Sequence, residues 1–317
     1  MSDGLHLLVP FATCEAPGCR SALAQLPLPR LERLLARLRP GPLLEGDEQD
    51  LSMPHERALA QALDLPGADG LLPWAAWQVA QDGGDPGQDG WAWITPCHWR
   101  LGTGHVFMHH PHDLQLDAAQ SQALLAAMQP YFEQDGISLR YEAPTRWLAR
   151  GALFAGLPTA SLDRVAGRVA DPWMPRGDAT RPLRRLQQEM QMLLYTHAVN
   201  DERSHGGLLP VNSFWASGSG VLPATASPRQ PAGLQVTHAL RDAALRQDWP
   251  AWAAAWQQLD AVECDRLLQA LGQGRPVAVT LCGERRARTW RSAGSGWLAR
   301  AAALWSRPKA AESLRDL

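Results

Sequence analysis

An α/β protein is expected: an α/β core interrupted by a smaller inserted α+β domain. Three observations predict it. Short apolar runs that read as buried strands lie near the two ends of the chain, at residues 7–12 and at Val277, Val279 and Leu281. Amphipathic helices accompany them, as helices on a sheet require. Between them a polar Gly/Pro/Asp linker at 81–90 (QDGGDPGQDG) gives way to hairpin-like strands. Placing the junctions there assigns 1–78 and 205–317 to the core and 79–204 to the insertion.

Each element has a local reason. Pro29 opens a helix with Leu31, Leu34, Leu35 and Leu38 on one face and Arg30, Arg33 and Arg37 on the other. Ser52 precedes a second helix led by Pro54. Residues 91–100 and 105–110 are expected to pair as strands around a turn at Gly102–Gly104. Asp117 and Gln120 form a capping box for a helix that Pro130 kinks and Gly136 ends. Ile137, Leu139 and Tyr141 alternate with polar residues as a half-buried strand, which 147–151 can pair with. Leu183, Leu186, Met190, Leu193, Leu194 and His197 mark one face of a long helix. A polar turn, a short strand and a Ser-Gly-Ser-Gly loop at 217–220 follow it. Helices are expected at 238–247, 249–259 and up to Gly272, then a strand at 277–282, a helix at 297–305 and a frayed polar tail.

Composition narrows the function. With 317 residues, 45% hydrophobic and 20% charged, the chain can bury a sizeable core. A net charge of −2 gives no global field toward nucleic acid or anionic lipid. The arginine run within 285–291 reads as a solvated face, and no helix-turn-helix is recognisable, so direct DNA binding is not expected. No apolar run approaches the roughly 20 residues that span a bilayer, and no signal peptide is visible, so a cytoplasmic protein is expected. Lys309 is the only lysine, and the 14 tryptophans are read as core residues. Five scattered cysteines do not suggest a disulfide framework. Cys14 and Cys19 are close in sequence, but no second Cys/His pair follows at zinc-finger spacing.

Candidate chemistry is sparse. His98, His105, His109, His110 and His112 cluster in sequence; His105 and His109 would share one face of a regular strand, so they are metal candidates against a structural or surface reading. The Ser217–Gly220 loop can aim backbone N–H groups at an anion or be plain turn chemistry. His197, Asn200 and Arg203 can form a phosphate-ester pocket, or a cap and an ion pair within the turn. Ser52, ahead of the helix led by Pro54, reads as a helix cap, and as a candidate nucleophile only through the family resemblance carried by 187–220. No nucleotide fingerprint, zinc-protease motif or Ser/His/Asp order is present.

The stretch from 187 to 220 carries a resemblance. His197, Val199, Asn200, Arg203, Pro210, Asn212, Trp215, Gly218 and Gly220 resemble the His-Pro-Val-Asn-x-x-Arg and Pro-Ala-Asn-x-Ile-Trp-x-Trp-Gly-x-Gly stretch of archaeal-type cofactor-independent phosphoglycerate mutases. The likeness extends upstream through 116–151 and to the helix at Pro29. It implies a degenerate alkaline-phosphatase-like core; Asn212, Gly218 and Gly220 with His197, Asn200 and Arg203 are ligand-binding candidates, and Ser217 joins them from the Ser-Gly-Ser-Gly loop. Enzymes of that superfamily use two divalent metals and a serine at a helix N-terminus. This chain departs from the pattern. Where the first strand should end in Asp-Gly it reads Val9-Pro10-Phe11-Ala12, and where an Asp-His pair should follow a late strand it reads Gly283-Glu284-Arg285-Arg286.

Pro96-Cys97-His98-Trp99, the run 191–197 and Asn212-Ser213-Phe214-Trp215 look like the RpfE-type regulatory proteins associated with the Rpf cluster of xanthomonads. That resemblance implies control of extracellular enzymes or virulence-type traits. The expectation is a regulatory protein without catalysis or cofactor. It would bind a protein partner, such as a transcription regulator, or a small phosphorylated ligand. The alternative is a phosphotransferase or phosphomutase with an altered site.

Overall fold

The computed structural model describes residues 4–292 and 309–317, so the helix expected at 297–305 lies outside the described residues. The chain divides into two compact units: 1–48, 53–63 and 230–317 form the first, 49–52 and 64–229 the second. In chain order the first unit begins with β1 (Leu5–Val9), α1 (Pro17–Ala24), α2 (Pro29–Leu35), β2 (Leu38–Leu44) and α3 (Pro54–Ala62). The second holds α4 (Trp74–Gln81), β3 (Trp91–Cys97), β4 (Trp99–Leu101), β5 (Val106–Met108), α5 (Ala118–Gln134), β6 (Ser138–Ala143), β7 (Arg146–Arg150), α6 (Leu162–Val165), β8 (Arg168–Val169), α7 (Arg181–Tyr195), α8 (Ala198–His205) and β9 (Ser213–Gly220). The chain then returns to the first unit with β10 (Leu234–Val236), α9 (Ala239–Leu245), α10 (Trp249–Leu259), α11 (Asp265–Gly272), β11 (Val277–Cys282), β12 (Ala287–Ser292) and α12 (Ala310–Arg315).

The first unit is built on a mixed five-stranded sheet in the order β10-β1-β11-β12-β2. β1 runs parallel to both β10 and β11, while β12 is antiparallel to β11 and β2. Because side chains alternate along a strand, Leu7 and Val9 enter one face with Val279 and Leu281, and α1, α2, α9, α10 and α11 cover that face. Leu8 enters the opposite face with Cys282 and Ala287, under Ala58 of α3. The tail expected to fray instead carries α12: Ala310 and Leu314 are buried in the first core, and the Ala310 N–H donates to Glu32 at 3.1 Å.

The second unit has its own core and two sheets, β6-β7-β3-β9 and β4-β5-β8. α5 and α7 pack on the larger sheet through Leu124, Met128, Phe132, Leu186 and Met190. The expected 91–100 strand breaks at His98, so β3 joins one sheet and β4 the other. β6 and β7 pair as expected. The 81–90 linker does not coincide with a division between units. It joins α4 to β3, and α4 packs on β3 and β9, so a Gly/Pro/Asp run here marks a surface loop. Likewise the chain divides at 229/230 rather than 204/205, because β9 pairs with β3 as the edge strand of the second unit's larger sheet. No helix among the described residues is long and apolar enough to cross a membrane.

Candidate functional site

The two segments that depart from the mutase pattern meet in the first unit. β1 and β11 are adjacent and parallel, so 9–12 and 282–286 leave the sheet at the same edge, the carboxyl edge where α/β sheets place ligands. Ala12 N–H donates to the Cys282 carbonyl at 2.8 Å, and Gly283 N–H closes the β11–β12 turn on Arg286 O at 2.8 Å. Phe11 takes a left-handed φ of 52°, which turns the chain off the sheet. α10 fixes the turn: Trp252 Nε1 donates to Phe11 O at 2.9 Å and Trp256 Nε1 to Ala12 O at 3.1 Å. Those indoles stack edge to face with each other, and Trp249 adds a third ring. Gly18 in α1 leaves room for Trp249, since a Cβ there would lie 2.2 Å from its Nε1.

Beside this edge lies a cavity of about 650 Å³, lined among others by Thr13, Cys14, Arg20, Arg285, Arg286 and Arg315. The lining holds four arginines, Arg20, Arg285, Arg286 and Arg315, beside the acidic residues Glu15, Glu284 and Asp316. Arg285 Nε pairs with Glu15 Oε1 at 2.8 Å and its terminal nitrogen with Glu48 at 3.0 Å. Arg20 donates to the Glu15 carbonyl from Nε and a terminal nitrogen, at 2.9 and 2.6 Å. The Glu284 carboxylate accepts the Glu15 N–H at 2.7 Å.

These residues do not fit a pair of divalent metals. Phe11 and Ala12 offer only carbonyls, which the indoles hold, and the arginines repel a cation. Among the described residues no group of three or more His, Cys, Asp or Glu side chains could hold a metal ion. An anion is the better chemical match, because guanidinium groups pair with carboxylate and phosphate in bidentate fashion.

The sequence-derived candidates all lie in the second unit, where their polar atoms tie backbone together. Asn200, in α8, donates from Nδ2 to Leu194 O at 2.8 Å and Val211 O at 2.6 Å, and accepts Val211 N–H at 2.8 Å. Arg203 is 1% exposed. Its Nε reaches Leu209 O at 3.0 Å, and its terminal nitrogens reach the carbonyls of Leu114 and Leu209 and the Gln120 side chain. Burial lowers its pKa, while Asp117 acts in the opposite direction. Gln120 therefore serves Arg203, and Asp117 alone caps α5, accepting Gln120 N–H at 2.8 Å. His197 caps α8, its Nδ1 accepting Val199 N–H at 3.2 Å. Asn212 exchanges two hydrogen bonds with the Trp99 backbone, at 2.7 and 2.8 Å.

Ser217–Gly220 is not a loop but the end of β9, paired to Trp91 and Trp93 of β3. Gly218 and Ser219 lie opposite the single residue Ala92 of β3, a bulge in which Gly218 takes φ 63° and the Trp93 ring closes over it. Asn200 lies before β9 and Gly218 near its far end. Val211, its bonded partner, is seven residues from Gly218, about 23 Å along an extended strand. Asn200 of α8 and Gly218 therefore lie toward opposite ends of β9.

Ser52 is 3% exposed; its Oγ accepts Gly70 N–H at 2.9 Å, and its own N–H donates to Asp69 at 2.8 Å. His105 sits exposed in the β4–β5 turn, and His109 lies past the other end of β5. Their separation is about 13 Å by strand rise, too far for one ion. His109 instead packs edge to face on His98 (5.1 Å) and Phe107 (5.3 Å). Burial, then His98 and Arg100, lower its pKa.

Sequence reasoning missed the cavity residues Arg20, Arg286 and Arg315. The available signal was the adjacency of two parallel strands, which puts 9–12 and 283–286 side by side.

No family model and no curated protein matches the chain. Among solved structures, it is similar to the cofactor-independent phosphoglycerate mutase from Thermoplasma acidophilum DSM 1728, at 13% identity and TM-score 0.39, over 100% of this chain and 99% of that one. It is also similar to the PH0037 protein from Pyrococcus horikoshii, at 11% identity and TM-score 0.47, over 92% and 88%.

Proposed function

We propose that the protein is a non-catalytic regulator that binds a small phosphorylated ligand at the arginine-lined cavity of the first unit. One observation carries this reading: the carboxyl ends of β1 and β11 come together bearing indole-held carbonyls and arginines. Such a site recognises an anion without metal chemistry to transform it. The resemblance to RpfE-type proteins supports a cytoplasmic role in controlling extracellular enzymes or virulence-type traits. Calorimetric titration with inorganic phosphate and 3-phosphoglycerate is the test. Binding without turnover is expected, weakened about tenfold by Arg286→Ala, as loss of one charge-assisted contact predicts. Manganese-dependent turnover of 3-phosphoglycerate would overturn the non-catalytic reading, and absence of binding would overturn the ligand.

A protein partner is the second reading, favoured by Met192 and Tyr195. They lie three residues apart on α7, 78% and 84% exposed. Capture of a transcription regulator that Met192→Ser with Tyr195→Ser abolishes would support it.

A further inference from the structure

We propose that Cys14 and Cys19 are an oxidisable dithiol, which closes to a disulfide by exchange with a small anionic disulfide entering through the arginine-lined cavity.

The pair is assembled by the local chain. Pro17 starts α1 and places Cys19 in its first turn, while Cys14 sits in the segment that leaves β1. Cys14 N–H donates to Cys19 Sγ at 3.2 Å. One N–Cα bond adds about 1.5 Å, so the Cys14 Cα lies within about 5 Å of the Cys19 sulfur. The two thiols are also within hydrogen-bonding reach of each other, so the sulfurs that would form the bridge are already neighbours. Cys14 lines the cavity, whereas Cys19 is fully buried behind it. The Cys14 side chain and backbone hydrogen bonds favour the Cys19 thiolate, and the start of a helix acts in the same direction.

The remaining cysteines differ. Cys97, Cys264 and Cys282 are fully buried, and burial pushes each thiol well up. None has a cysteine partner of this kind among the described residues.

Exchange balances in two steps. The Cys14 sulfur, its proton passing to Cys19, attacks the incoming disulfide; one S–S bond forms as one breaks, and a reagent thiolate leaves. Cys19 then loses its proton to solvent and attacks the Cys14 sulfur, expelling the second reagent thiolate. The protein loses two protons and two electrons, and the small disulfide is reduced to two thiols. The guanidinium groups at Arg20, Arg285, Arg286 and Arg315 select the charge of the reagent.

The test treats the folded protein with oxidised glutathione at mildly alkaline pH. Two of the five thiols should be lost, and the tryptic peptide 1–20, which holds both, should lack two hydrogens. Cleavage after Glu15 should leave its halves linked. Cys19→Ser should trap glutathione on Cys14, and Cys14→Ser should leave Cys19 unmodified. Oxidised glutathione should react at least about tenfold faster than cystamine, the advantage shrinking in salt. The wild-type result needs no variant to fold. Retention of all five thiols until urea is added would overturn the dithiol, and equal rates for the two disulfides would overturn entry through the cavity.

Discussion

Arg203 is a charged side chain held by neutral oxygens. Removing it strands the carbonyls of Leu114 and Leu209 in the second core, which costs more than the net worth of the bonds. Arg203→Ala should therefore lower stability by about 3 kcal/mol, roughly 6–12 °C in melting temperature, measured by calorimetry. Its effect on ligand affinity, at matched folded protein, separates a fastening role from a recognition role. His6 is the titratable counterpart in the first unit. Its Nε2 lies 2.7 Å from Thr280 Oγ1, which in turn meets Thr289 Oγ1 at 2.8 Å. Burial first, then Arg291, pushes its pKa down to about 4. The unfolded chain binds the proton more readily, so this contribution is present above pH ~6.5 and is lost as pH falls toward 4. Urea unfolding across that window should show up to about 3 kcal/mol less acid-linked loss in His6→Gln than in the wild type.

At the scale of elements, the glycines of β9 are backbone devices. Gly218 has positive φ, and a Cβ there would lie 2.9 Å from the Trp93 ring. Gly218→Ala should destabilise by about 1–3 kcal/mol, with β3 and β9 amides losing hydrogen-exchange protection before those of β1 and β11. Periodicity made the helices α2, α5, α7 and α10 readable, because apolar spacing and proline or capping residues report local structure directly. The strand pair β6–β7 was readable for the same reason. What periodicity does not report is which strand a glycine-rich segment will pair with, so Ser217–Gly220 read as a loop. The same limit applied to 197–203, which read as a polar turn and belongs to the short helix α8 with its cap His197. Asn and Arg are the residues that grip a phosphate and also the residues that fasten carbonyls, and Leu114, Leu209 and Val211 are invisible as partners in one dimension. The arginines at 285–286 read as a solvated face and are solvent-exposed, the Arg285 side chain to 43%; what one dimension hides is that β1 brings 9–12 beside them.

For the molecule as a whole, the donor set at the first sheet's edge predicts how it answers to metals. Manganese or zinc should leave the melting temperature unmoved, since a ligand stabilises only by binding the folded state. Stoichiometric metal in the purified protein, with activity lost on chelation, would contradict this. The interrupted first sheet has a different consequence, in time. Leu5 pairs with Val277, yet the whole second unit is made between them. At about 5–20 residues per second, β1 leaves the ribosome on the order of 15–50 s before β11 does. Its two parallel neighbours come from the far end of the message, so the second unit can close its core while Leu7, Leu8 and Val9 still lack theirs. A nascent chain stalled once residue 229 has cleared the ribosome should thus resist protease across 64–229 and be cut within 1–48. The earliest strand to be synthesised is then among the last to be sheltered.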